Sequence, residues 1–460
     1  MKKRIVLIMI LASLAACSGG GGSGSPSGGA ADIAAAHQLF DLDRVRVTDG
    51  EILDSSGRQV ILRGLVTITL NVNLITGEVQ RPDLTSADYE RMRAWGFNAQ
   101  VIRLEGGRLG LNPDQPVDAA YLGLLASWTN LAAQQGIHTV FKMTTYDVPG
   151  WGWNNAFNPA RWQAFWDNEG GQQDQFLAGW RNVWRYFAGW TAVIGYDILN
   201  EPHAGTRTTP FVSQYLKPFY NRASQALRQT DGEVALIFQP PVTGGELSLA
   251  PDDPHPFFAP HIYPSSLDQI GVWLGQYANN AALMNTPIAV MEYGLPDNEF
   301  SGMLTWTLES ERLYAARFDE YGVGCFRVWY AYTGVWNVLN ADGSESKEKF
   351  DVLSRPYPQR VAGTVRGWSF DFDSRVFQLV IEPRSGVQGS SEIFVSFRRH
   401  FLEGFVVDLN GQRYFSDEGQ PSGLRAAGGG LVEGLSFDFA TEILEVGGSD
   451  EQISLTISPL

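Results

Sequence analysis

The chain has 460 residues, 44% of them hydrophobic and 18% charged, a globular composition with room for two or three domains that excludes an intrinsically disordered protein. Lys and Arg number 34 against 50 Asp and Glu, and a net charge of −16 would be repelled by phosphate backbones, so no nucleic-acid partner is expected. The 14 tryptophans and 26 phenylalanines lean toward sugar handling, because flat rings stack on pyranose faces, although aromatic residues serve cores more often.

Lys2, Lys3 and Arg4 precede an apolar run over residues 5–14, followed by Leu14-Ala15-Ala16-Cys17. A positive start, a short apolar stretch and a small-residue cleavage site make a secretory signal over residues 1–16. The run is too short to span a bilayer. The tetrad resembles the lipobox of bacterial lipoproteins, which implies a lipid on Cys17, a Gly/Ser tether over 17–33 and attachment to a membrane of the cell envelope. The alternative is ordinary cleavage near an incidental cysteine. With Cys17 alkylated, Cys325 has no partner for an intramolecular disulfide and reads as a small buried hydrophobe.

Short hairpin strands around Thr48-Asp49-Gly50 and Ser55-Ser56-Gly57 are expected to feed the first main strand. Apolar runs at 60–65, 99–104, 139–144, 193–199, 234–239, 258–262, 288–292 and 324–329 then alternate with longer amphipathic stretches. Runs of this kind, bounded by turn residues, suit strands buried on both faces. Helices are expected over 86–95, capped by Ser86 and closed by Gly96, and over 118–135, closed by Gly136. The pattern predicts a (β/α)8 TIM barrel over residues 34–355. A doubly wound open sheet would show a glycine-rich phosphate loop after a strand, and none has that context.

Beyond Arg355-Pro356-Tyr357-Pro358 the chain alternates apolar and polar residues in short runs at 368–372, 376–381, 393–397, 405–409, 435–439 and 453–457. Turns such as Asn410-Gly411 separate several of them, which predicts a C-terminal all-β sandwich over 356–460. The connector over 355–360 is short and lacks a Gly/Ser tether, so the sandwich should be docked on the barrel.

A barrel of this kind does its chemistry at the C-terminal ends of its strands. Those ends carry Arg103, Asn200-Glu201, His261 with Tyr263, Glu292 and Trp329. Two carboxylates converging on one mouth are what glycoside hydrolysis needs. Taken singly, Glu201 could cap a helix and Glu292 could sit in an ion pair. The six histidines show no paired ligand spacing, so no metal or other cofactor is expected.

Asp197-Ile198-Leu199-Asn200-Glu201-Pro202 resembles the Asn-Glu-Pro signature of glycoside hydrolase family 5. His261-Ile262-Tyr263, Met291-Glu292-Tyr293-Gly294, Arg103 and Trp329 are similar to its sixth-strand, nucleophile, second-strand and eighth-strand motifs. Within the family the chain is most similar to endoglycoceramidases and related glycolipid glycosidases, through residues 195–202, 216–222 and 226–228 and the junction over 357–364. It departs from them at the third strand, where Thr144 takes the place of a histidine, at Gln239-Pro240 in place of Glu-Pro, and at Val66 in place of asparagine.

The resemblance implies a retaining mechanism with Glu201 as acid and then base, and Glu292 as nucleophile. Arg103 and Tyr263 would hold Glu292 ionised, Asn200 would grip the sugar 2-hydroxyl, His261 would orient the acid, and Trp329 would floor the subsite. Thr144 would contact the sugar at the cleavage point. Trp151 and Trp153 lie among glycines and asparagines, and could be sugar platforms or a lipid-contacting rim. Trp162 and Trp166 read as helix core, and Trp180, Trp184, Phe187 and Trp190 as barrel packing. Three readings remain open: a membrane-tethered glycosidase of glycolipids, the same chemistry on β-glucan oligosaccharides, or a non-catalytic glycan-binding lipoprotein. A monomer is expected.

Overall fold

The computed structural model describes residues 37–460 apart from 73–78, 113–114, 145–156, 208–209, 243–245, 301, 331–335 and 429–431. The Cys17 tetrad, its tether and the loop tryptophans Trp151 and Trp153 lie outside the described residues.

A curled parallel sheet forms the larger part. Its first five strands are Arg63–Ile68, Ala99–Arg103, His138–Lys142, Val193–Asp197 and Ala235–Phe238. The predicted sixth strand comes in two pieces, Pro256–Phe258 and His261–Ile262, followed by a seventh, Ala289–Tyr293, and an eighth, Gly324–Tyr330. Pro256–Phe258 pairs with the fifth strand and His261–Ile262 with the seventh, so these adjoining pieces close the barrel. The eighth strand pairs back onto the first.

Period-two alternation places Val66, Val101, Val140, Ile194, Ile237, Met291 and Val328 in one buried cluster inside the barrel. The opposite parity, with Leu65, Ile102, Phe141, Tyr196 and Leu236, packs against the surrounding helices. The aromatic helix Gln172–Tyr186 presents Phe176, Trp180, Val183 and Trp184 to that layer, and Trp162 and Trp166 are buried likewise. Asp118 caps the helix Ala119–Gln134 by accepting from the Tyr121 N–H at 3.0 Å. The helix Ser86–Ala94 begins one residue earlier in its capping than expected: Thr85 is the N-cap, and its backbone N–H donates to the Asp88 carboxylate at 2.8 Å.

The C-terminal part stacks a seven-stranded antiparallel sheet and a six-stranded one over a core that includes Tyr357, Trp368, Phe377, Leu379, Phe405, Phe437 and Leu455. The N-terminal strands Arg46–Thr48, Glu51–Leu53 and Gln59–Val60 hydrogen-bond into the seven-stranded sheet, while their side chains Val47, Ile52 and Val60 join the buried cluster inside the barrel. Gln59–Val60 pairs with Tyr357–Val361, a strand laid down in the expected connector. The sandwich is therefore built from both ends of the described chain.

Candidate active site

The turn after the fourth strand delivers Asn200 and Glu201. Glu201 has φ of 49°, a left-handed conformation costing about 1–3 kcal/mol for a residue with a side chain. Its neighbours hold it there. The Asn200 N–H donates to the Met143 carbonyl at 3.0 Å, and the Trp180 indole N–H donates to the Ile198 carbonyl at 2.9 Å. The Glu201 N–H itself donates to Gln239 Oε1 at 2.8 Å. Gln239, one of the departures, is thus the group that positions the Glu201 backbone.

Glu292, the penultimate residue of the seventh strand, lies directly across from His261 in the parallel register. The Tyr263 hydroxyl donates to Glu292 Oε2 at 2.6 Å. His261 Nδ1 lies 3.0 Å from Glu201 Oε1 and 3.6 Å from Glu292 Oε2, so one imidazole edge touches both carboxylates. One oxygen of each glutamate and one nitrogen of His261 fall within 4.8 Å of one another. So small a gap between the nearest oxygens favours the retaining arrangement, whose carboxyl groups stand ~5–5.5 Å apart, over one that keeps a water between groups ~6.5–9.5 Å apart.

The cation on Glu292 is one the sequence reading did not single out. Lys142, the last residue of the third strand, is fully buried and forms an ion pair with Glu292 Oε1. Burial alone would push the Glu292 carboxyl up, but the Lys142 ammonium, His261 and the Tyr263 hydroxyl together hold it well below the usual carboxylate range. Arg103 ends the second strand beside Lys142 across the sheet. The Trp329 ring is half-buried at the end of the eighth strand, with Lys142 Nζ 5.9 Å from its centroid. Thr144 is fully buried two residues beyond Lys142.

Behind these groups lies Asp197, opposite Lys142 in the register of the third and fourth strands. It is fully buried, and burial pushes its carboxyl up to about 6 against the opposing pull of Lys142 and His261. Gln239 Nε2 donates to Asp197 Oδ2 at 2.7 Å, while Oδ1 has no hydrogen-bond partner among the described residues. One amide thus connects the Asp197 carboxylate to the Glu201 backbone.

Glu201, His261 and Glu292 have the donor types of a metal site. Lys142 and Tyr263 already engage the two oxygens of Glu292, so the cluster is arranged as an acid beside an anionic nucleophile. Gln239 was visible in the sequence as a departure, and Lys142 carries a signal of its own: it shares the inward parity of Val140, which puts a charge where the barrel interior should be apolar.

Residues 53–331 match the family model described as Cellulase (glycosyl hydrolase family 5), and residues 355–425 match that of the glycoside hydrolase family 5 C-terminal domain. Endoglycoceramidase I of Rhodococcus hoagii is 25% identical over 434 residues, covering 80% of this chain and 82% of that protein. An endoglycoceramidase of Hydra vulgaris is 25% identical over 287 residues, 55% of this chain and 52% of that one. Among solved structures, the lactosyl-enzyme intermediate of endo-glycoceramidase II from Rhodococcus sp. superposes with a TM-score of 0.71 at 22% identity, over 89% of this chain and all of that one.

Proposed function

The chain belongs to glycosyl hydrolase family 5, and from that premise we propose that it is a retaining β-glycosidase acting on glycolipids such as glycosylceramides. The single observation that carries the chemistry is the placement of one oxygen of Glu201 and one of Glu292 within 4.8 Å of each other about one imidazole. In the first step a Glu292 oxygen bonds to the anomeric carbon, the bond to the aglycone breaks, and Glu201 gives its proton to the departing oxygen. In the second, Glu201 takes a proton from water, the water oxygen bonds to the anomeric carbon, and the electron pair of the ester bond returns to Glu292.

The choice of glycolipid rests on the relatives named endoglycoceramidase, together with the proposed lipid on Cys17 that would hold the barrel beside a membrane. Incubation with glycosylceramides, aryl β-glycosides and β-glucan oligosaccharides, followed by product analysis, tests it. Release of an intact glycan and a ceramide is expected. Cleavage of glucan oligosaccharides with glycosylceramides left whole would transfer the substrate to the second reading. Loss of fatty-acid labelling in Cys17→Ser, with the protein no longer sedimenting with membranes, is expected for the anchor; an unlabelled wild type would refute it.

A further inference from the structure

The ion pair on the nucleophile raises a difficulty that its surroundings answer. When Glu292 becomes an ester it loses its charge, and the Lys142 ammonium is left fully buried without its partner. An unpaired buried charge costs several kcal/mol. Asp197 stands opposite Lys142 across two hydrogen-bonded strands. Its Oδ2 is held by Gln239, and its Oδ1 is buried with no hydrogen-bond partner among the described residues.

Resting on the glycosidase reading above, we propose that Lys142 and Asp197 are a positioning pair for the second half of the reaction: the ammonium pairs with Glu292 in the free enzyme, passes to the open oxygen of Asp197 while Glu292 is esterified, and returns as the ester breaks. No proton or bond is transferred between the pair; a cation changes partner between two neighbouring strands. The consequence is directional. A carboxylate stabilised by a cation is a poorer nucleophile and a better leaving group, so Lys142 restrains the first step and speeds the second. Its charge keeps the glycosyl-enzyme from accumulating.

The other groups facing Lys142 do not supply this. His261 and Tyr263, on the sixth strand and just beyond it, contact Glu292 itself; Glu201 is engaged by His261; Arg103 is a cation like Lys142; Trp329 offers only its ring. Asp197 is the carboxylate on the adjoining strand that has an oxygen to spare.

The test uses an aryl β-glycoside with a good leaving group, so that the second step limits turnover. Lys142→Met should lower kcat by ~10–100-fold with kcat/KM changed about threefold or less, and mass spectra of the quenched steady state should show most molecules carrying the sugar on Glu292. Lys142→Arg should restore most of kcat. Asp197→Asn keeps the shape and the contact to Gln239 but leaves Lys142 without a carboxylate in the glycosyl-enzyme, so it should have the opposite signature: kcat/KM lower by ~3–10-fold, kcat not lowered, and less enzyme carrying the sugar at steady state. Equal losses in kcat and kcat/KM with no accumulated intermediate would overturn the proposal, since a merely structural role gives that result. If Lys142→Met does not fold, Asp197→Asn decides: a loss confined to kcat/KM is expected, and equal losses in kcat and kcat/KM would overturn the proposal. In the wild type a 2-fluoro glycosyl fluoride should label Glu292. Failure to label Glu292 at any pH would instead bring down the glycosidase reading itself.

Discussion

Asp319, on the helix Leu308–Tyr321 at the foot of the barrel, accepts from Arg63 at 2.5 Å and from two nitrogens of Arg355 at 3.0 and 2.7 Å. Arg355 reaches back to the Ala315 carbonyl, and the Arg63 guanidinium lies 4.1 Å from the ring centroid of Tyr357 in the sandwich. At the mouth, Glu292 is also buried and also paired, yet beside it Asp197 keeps an oxygen with no hydrogen-bond partner among the described residues, and Glu201 stays partly open to solvent. Both sites bury carboxylates against cations. The foot saturates the carboxylate of a barrel helix from the first strand and from the entry to the sandwich, and so ties the two parts together. The mouth leaves capacity unused, which is what a site needs if its charges change during a reaction.

Substitution at each end should break this contrast in different currencies. The largest effect is expected from Glu292→Ala, which removes the nucleophile: kcat should fall by roughly 10⁵–10⁶-fold, with partial recovery on adding azide or formate. Its thermal stability should fall less than that of the foot variant below, because Asp197 is placed to receive Lys142. Calorimetry of the two variants side by side checks that order. Glu201→Ala should cost ~10²–10⁴-fold on natural substrates and far less in the first step with phenolate leaving groups, after which the glycosyl-enzyme stalls; rapid-quench kinetics distinguishes the steps.

Asp319→Ala strands two buried arginines and should lower stability by about 3–5 kcal/mol in denaturant titrations, while kcat per folded molecule stays near wild type. A proportionate loss of activity would show that the foot and the mouth are coupled. Gln239→Ala sharpens the comparison within the mouth. It removes the hold on the Glu201 backbone, and an effect of about tenfold on kcat is expected, with KM little changed, in keeping with one hydrogen bond of ~0.5–1.5 kcal/mol.

The barrel was legible because each buried strand is a short apolar run ended by turn residues. Glu201 and Glu292 were legible because a motif and a strand end coincide at each. Lys142 was not. Its inward parity with Val140 marks a charge inside the barrel, but its partner Glu292 comes from another strand, so residues 138–142 alone do not show what that charge is for. The sandwich was read only in part. Gln412–Ser416 has no fully buried residue and lacks apolar alternation, and Leu424–Ala426 is three residues long, so neither carries the period-two signal. Asn410-Gly411, read as a separator, is the hairpin turn between Phe405–Leu409 and Gln412–Ser416, with φ of 51° and 84° as a two-residue turn of that type requires. The N-terminal strands precede the barrel in sequence and pack Val47, Ile52 and Val60 against its interior cluster; only the long-range pairing of Gln59–Val60 with Tyr357–Val361 shows that they also extend the sandwich sheet.

The central claim is that two carboxylates this close act in two displacements through a glycosyl-enzyme, and the anomeric configuration of the first-formed sugar tests it directly. Proton NMR of an aryl β-glycoside hydrolysed at high enzyme concentration should show the β-anomer appearing first and the α-anomer only later, by mutarotation. Initial appearance of the α-anomer would mean a single displacement by water and would contradict the account.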